Sequence, residues 1–206
     1  MSLPKPYYQD DFVTLYHGDC RDFFGVISAD ILVTDPPYGI GFAAQPTKWQ
    51  RRAGMEATGW DDSTVDIEGV LALAPVQCVW GGNYYALPPS RGWLAWTKPD
   101  APPSMGNVEL AWTNVDQNAK HISHSIGATN AERVGHPTQK PLRVMRWTMQ
   151  MFDAGSIIDP FAGSGTTLRA AKDLGRKSIG IEIEEKYCEI AARRCSQEVL
   201  DFGAAA

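Results

Sequence analysis

"SIIDPFAGSGTTLRAAKDLG" (residues 156–175) reads as a strand, a glycine turn and a helix in immediate succession. "SIID" is a short apolar run of the kind buried on both faces of a parallel sheet. Gly163 and Gly165 allow φ > 0, where a backbone must turn sharply or approach a ligand closely. Beyond them Leu168, Ala171 and Leu174 share one helical face, and Gly175 marks a stop. A buried strand that turns directly into an amphipathic helix is the repeating unit of an α/β fold.

The rest of the chain supplies further copies of that unit. "SIGIEI" (178–183), "FVTLYHGD" (12–19), "DILVTD" (30–35) and "VQCVWGG" (76–82) are strand-like runs. Two runs rich in tryptophan, "GWLAWT" (92–97) and "VELAWTN" (108–114), have the character of antiparallel strands. Helical spacing places Leu142, Met145, Met149 and Phe152 on one face after Pro141, and Cys188, Ala191, Ala192, Cys195 and Val199 on another. A shorter helix with an acidic first turn fits 62–74. The spacing predicts a mostly parallel sheet in a single domain over residues 1–206. Residues 83–135, dominated by aromatics, prolines and polar loops, are expected to be edge strands plus insertions rather than a separate domain.

With 206 residues, 44% of them hydrophobic, the chain can bury a sizeable core. No apolar run reaches membrane-spanning length, and "MSLPKPYYQDD" does not read as a signal peptide. Cys20, Cys78, Cys188 and Cys195 form no CxxC pair; reduced thiols and a cytoplasmic location are expected. A net charge of -5 argues against a strongly basic nucleic-acid binder but not against a local basic face such as "KWQRR" (48–52). His121 and His124 have no carboxylate or cysteine at ligand spacing, so no metal is expected. Trp80, Trp93, Trp96 and Trp112 read as packing residues, and Arg143, Arg146, Arg193 and Arg194 as solvated helix faces.

The glycine loop narrows the ligand. Glu182, at the end of the next strand, lies about 20 positions past Gly163, where an acid commonly holds the ribose hydroxyls of an adenosine-containing ligand. A dinucleotide fingerprint would require glycine at position 168, which is leucine, and a Walker loop would require a lysine that "GSGTT" lacks. Asp159 beside the loop disfavours a pyrophosphate and suits an ammonium or sulfonium. That combination suits S-adenosylmethionine. An ordinary tight βα turn, with Ser or Thr capping the helix, remains the alternative on the loop alone.

"TDPPYG" (34–39), "GHPTQKP" (135–141) and "DPFAGSGTT" (159–167) occur in one chain. Together they closely resemble the DNA amino-methyltransferases over about residues 12–200. The catalytic motif precedes the glycine loop, an order that resembles the permuted β class; "GGNYY", "RGWLAWTK" and "VELAWTN" resemble short phage and prophage enzymes. The resemblance implies a seven-stranded Rossmann-like sheet with one reversed edge strand, and a small inserted target-recognition region at 83–135. It implies a catalytic loop of Asp35, Pro36, Pro37 and Tyr38. Phe161, Gly163 and Gly165 would form the FxGxG cofactor loop, with Asp159, Ser164, Thr166 and Thr167 around the methionine and sugar. Asp19 would meet the adenine end, Glu182 the ribose, and Thr138 and Lys140 the methionine moiety, with His136 structural. Residues 40–65 would form a loop over the target base, with Lys48, Arg51 and Arg52 near phosphates.

The implied chemistry is physically coherent. An exocyclic amine is a poor nucleophile because its lone pair is delocalised into the ring. Hydrogen bonds to the Asp35 carboxylate and the Pro36 carbonyl would localise that pair, with the prolines fixing the carbonyl direction. Tyr38 offers a stacking face for a base extruded from double-stranded DNA. Transfer from S-adenosylmethionine to adenine N6 is therefore expected. Cytosine N4 is the nearest alternative, although such enzymes usually carry Ser at the position of Asp35. Carbon-5 chemistry needs a Pro-Cys pair that the chain lacks, and NPPY-type RNA or protein enzymes differ at Asp35 and in motif order. A catalytically silent binding module would be expected to carry a broken catalytic loop, and a dehydrogenase is disfavoured by Leu168. A homodimer accords with the class.

Overall fold

All seven apolar runs form strands in the computed structural model, which describes residues 3–39, 65–103, 105–134 and 139–198. These are β2 (Val13–His17), β3 (Ile31–Thr34), β4 (Val76–Trp80), β5 (Trp93–Thr97), β6 (Val108–Thr113), β8 (Ile157–Asp159) and β9 (Ser178–Glu182). Two further strands, β1 (Tyr8–Gln9) and β7 (Lys120–Ser123), close the two edges of a nine-stranded sheet ordered β1-β2-β9-β8-β3-β4-β6-β5-β7. β1 has only two residues and β7 is mostly exposed, so neither carries an apolar periodicity, and an edge strand needs none.

The five central strands β2, β9, β8, β3 and β4 are mutually parallel. Reversal is not confined to one edge strand as expected. β1 is antiparallel at its edge, whereas the other reversed strand, β6, lies inside the sheet between β4 and β5. The tryptophan-rich pair is antiparallel as read. Residues 93–123 thus supply three strands of the main sheet, and "AKHISH", expected as loop, contains β7.

Alternation explains the burial. Ile31, Val33, Cys78, Trp80 and Ile157 face one core, with Met145 and Met149 from α3 (Leu142–Met149) and Ala170 and Ala171 from α4 (Thr166–Asp173). Leu32, Val79 and Ile158 face the opposite core with Val70 of α1 (Ile67–Leu71). A third cluster joins β2 to α4 and α5 (Glu185–Cys195), with Leu168 completely buried. A Cβ at Gly180 would lie 2.6 Å from Leu168, so β9 supplies the glycine that lets this helix pack closely. A short helix α2 (Ile126–Ala131) follows β7, and Pro141 caps α3 from outside its first turn.

Because the five central strands run the same way, their C-terminal ends share one rim of the sheet. Asp19, Asp35, Gly81, Asp159 and Glu182 all lie at or just past those ends. Ligands of open α/β sheets bind in this place.

Candidate active site

The rim encloses a cavity of about 400 Å³ whose walls include Asp19, Asp35, Lys140, Asp159, Phe161 and Glu182. It has two sides, held by different means.

On the glycine-loop side, Gly163 and Gly165 have φ of 50° and 76°, so the loop uses the freedom that only glycine gives cheaply. A Cβ at Gly165 would lie 2.7 Å from that of Ala191, so helix α5 packs directly behind the loop. The Gly163 N–H donates to Glu182 Oε2 at 2.7 Å, and the Glu184 N–H donates to Oε1 at 2.8 Å. Glu182 is buried, and burial raises its pKa against the opposing pull of these two donors. Asp159, 2% exposed, accepts from Thr34 Oγ1 at 2.8 Å and from the Phe161 N–H at 3.1 Å. Burial nevertheless pushes its pKa up to about 6, with Thr167 and Thr34 opposing and Asp35 adding repulsion. Ser164, within the loop, and Thr166 and Thr167, opening α4, are buried.

Arg194 corrects the reading of solvated arginines. Its guanidinium donates to the Ser164 carbonyl at 2.8 Å and to Thr166 Oγ1 at 2.9 Å, pinning the loop from behind. Arg143, Arg146 and Arg193 are exposed as read. Asp19 lines the cavity and caps the 3-10 turn Cys20–Phe23, accepting from the Arg21 N–H at 2.9 Å and from its guanidinium.

The other side is built on "TDPPYG". Asp35 Oδ1 accepts from the Tyr38 hydroxyl at 2.5 Å, and Oδ2 accepts from Lys140 Nζ at 2.5 Å. Lys140, expected at the methionine end of a cofactor, lines the cavity but directs its ammonium to Asp35, Tyr38 and Glu109. Glu109 in turn accepts from Lys98. "GGNYY" serves the same loop: Gly81, at φ 69°, leaves space that a Cβ would take from the Tyr38 ring. Tyr84 stacks on Tyr38 with centroids 4.7 Å apart and planes at 14°, and Tyr85 donates its hydroxyl to the Pro37 carbonyl. Pro36 is buried at the turn. Lys48, Arg51, Arg52, His136 and Thr138 lie outside the described residues.

Sequence reasoning missed Tyr84, Tyr85, Lys98, Glu109 and Arg194. The repeated aromatics of "GGNYY" directly after a buried strand are a usable signal for the first two; Lys98 and Glu109 lie in "RGWLAWTK" and "VELAWTN", which mark the strands but not the charge pairing, and Arg194 has no signal.

The DNA methylase family matches residues 62–193, most of the chain. The chain belongs to the N6/N4 DNA methylase family. The methylase is 26% identical to the type II methyltransferase M.ScaI of Streptomyces caespitosus over 262 residues, covering 96% of this chain and 86% of that protein. It is 27% identical to the type II methyltransferase M2.MboI of Moraxella bovis over 253 residues, covering 92% and 90%. In fold it resembles the M1.HpyAVI–SAM complex, with a TM-score of 0.61 at 21% identity over 90% of this chain and all of that one. It also resembles the cytosine-N4-specific PvuII DNA methyltransferase, with a TM-score of 0.63 at 19% identity over 94% and 90%. The methylase has the β-class order, with "TDPPYG" ahead of the glycine loop.

Proposed function

We propose that this DNA methylase transfers a methyl group from S-adenosylmethionine to the N6 amine of adenine in double-stranded DNA. The observation that carries the reading is Asp35, a carboxylate on the wall of an anionic cavity, braced on both oxygens by Tyr38 and Lys140. A carboxylate accepts an amine hydrogen more strongly than the serine usual in the cytosine-N4 enzymes it resembles.

The cavity fits the methyl donor. Asp19, Asp35, Asp159 and Glu182 outnumber the cations on its wall, which suits a ligand bearing ammonium and sulfonium charges. Asp159, costly to ionise where it is buried, gains from such a partner. When bound, S-adenosylmethionine supplies an electrophilic methyl group carried on a positive sulfur.

The chain's residues do the positioning. Phe161, Gly163, Ser164, Gly165, Thr166 and Thr167 shape the loop around the ligand. Glu182 retains lone pairs for the ribose hydroxyls, and Asp19 faces the adenine. Asp35 and the Pro36 carbonyl accept the two amine hydrogens and localise the nitrogen lone pair. Tyr85 holds the following carbonyl, that of Pro37, so the loop does not reorganise as charge develops. The Tyr38–Tyr84 pair forms the stacking platform for the extruded base.

Lys48, Arg51 and Arg52 neutralise phosphates from a 40–65 loop over the target, and residues 83–135 contribute to site recognition. Modification-sensitive sequencing of DNA from cells expressing the protein should find N6-methyladenine at one recurrent site. N4-methylcytosine there would move the reaction to cytosine.

A further inference from the structure

We propose that Glu109 is a positioning residue for methyl transfer: by sharing the Lys140 ammonium with Asp35, it sets how much positive charge the catalytic carboxylate feels. The inference rests on the transfer reaction proposed above and gives a role to a residue of "VELAWTN" to which the resemblance assigns none.

The geometry is a line of alternating charges. Lys140 Nζ lies 2.5 Å from Asp35 Oδ2 and 3.1 Å from Glu109 Oε2, while Glu109 Oε1 accepts from Lys98. Both lysine side chains are only 8% exposed. Glu109 comes from the reversed strand β6 and Lys98 from the end of β5. Among the described residues, the groups facing Lys140 are Asp35 and Tyr38 of the catalytic loop and Glu109 of β6, with the Trp80 ring of β4 centred 5.9 Å away. Lys98 and Arg133 act on Glu109 from its other sides.

A buried ammonium paired with a single carboxylate would spend that carboxylate's charge. Asp35 would then be a poor acceptor for an amine hydrogen. With a second carboxylate on the same ammonium, Asp35 keeps part of its negative charge and is still held in place by a short hydrogen bond. Burial alone would make Lys140 easier to deprotonate, but Asp35 and Glu109 outweigh it and hold its pKa well above the ordinary lysine value. Glu109 is correspondingly kept ionised, with Lys140 and Lys98 overcoming its burial. Removing the Glu109 charge takes away one of the groups that keep Lys140 protonated, so Lys140 would lose its proton at lower pH.

The test uses the full-length protein, tritiated S-adenosylmethionine and unmethylated genomic DNA. Glu109→Gln keeps the shape and removes the charge. It should lower kcat by about tenfold and leave KM for DNA and Kd for S-adenosylmethionine within about twofold. In a Lys140→Met background the same change should cost less than about twofold, because Glu109 acts through Lys140. An unchanged kcat, or the same loss in both backgrounds, would overturn the inference. Should the Gln variant fail to bind S-adenosylmethionine or to fold, Glu109→Asp replaces it. That variant keeps the charge but withdraws it, and a smaller fall in kcat is expected; no fall overturns the inference. Wild-type protein that transfers no methyl group would instead overturn the proposed reaction, a separate result.

Discussion

The two sides of the cavity are held together by different physics. The glycine-loop side is assembled mainly from residues 156–184, close in sequence, with Thr34 and Arg194 bracing it, and its bonds include backbone N–H groups meeting Asp159 and Glu182. The catalytic side takes Asp35 and Tyr38 from one loop, Tyr84 and Tyr85 from the next, and Lys98, Glu109 and Lys140 from far along the chain. Its bonds are side-chain charges and rings. A side built from local backbone geometry binds a ligand of fixed shape; a side built from converging charges can be tuned for the reacting group. The comparison predicts that changes on one side should alter cofactor affinity and changes on the other should alter the rate.

The largest expected effect is on the catalytic side. Asp35→Ala should lower kcat by about 10²–10³-fold or more while the S-adenosylmethionine Kd stays within about threefold, as titration calorimetry would show. Equal losses of rate and affinity would erase the distinction between the sides. On the glycine-loop side, Glu182→Ala removes a buried charged acceptor for the Gly163 N–H and, in its proposed role, for the ribose hydroxyls. Cofactor Kd should rise by about 10–100-fold, and kcat at saturating cofactor should change far less.

The pH dependence of cofactor binding follows from Asp159. Its carboxyl, with a pKa raised to about 6, is neutral below that pH, and a cationic ligand favours the ionised form. Affinity should therefore increase as pH rises through about 6, by up to about tenfold between pH 5 and 7, and Asp159→Asn should flatten the profile. In the free protein the sign is the opposite: a raised carboxyl pKa gives stability that is present below about pH 4 and lost as pH rises through about 6. The smallest effect expected is that of Tyr84→Ala. Loss of one ring from the platform should weaken DNA binding by about fivefold, consistent with about 1 kcal/mol of stacking. An unchanged cofactor Kd in the same variant would assign Tyr84 to the catalytic side.

The same division explains what was legible in the sequence. "SIIDPFAGSGTT" could be read because strand, turn and helix are neighbours, and because Gly163 and Gly165 are required by backbone conformation. Seven strands were visible for a similar reason: Leu32 and Val33 face opposite cores, and both cores are apolar. β1 and β7 were not, since an edge strand with exposed residues has no hydrophobic periodicity to show. Arg194 was misread beside Arg193 because adjacent helix positions point about 100° apart. One meets solvent and Glu189, and the other meets the glycine loop. Glu109 was illegible for a deeper reason. Its place beside Lys140 depends on β6 being inserted in reverse between β4 and β5, which no local pattern specifies.

The proposed role of Asp35, held in this charged cluster, is to direct methyl transfer to an adenine amine. The most direct measurement incubates the wild-type protein and Asp35→Ala with labelled S-adenosylmethionine and unmethylated DNA, digests the DNA to nucleosides and separates them. Label in N6-methyldeoxyadenosine from the wild type alone is the predicted result. Label in N4-methyldeoxycytidine, or equal label from Asp35→Ala, would contradict it.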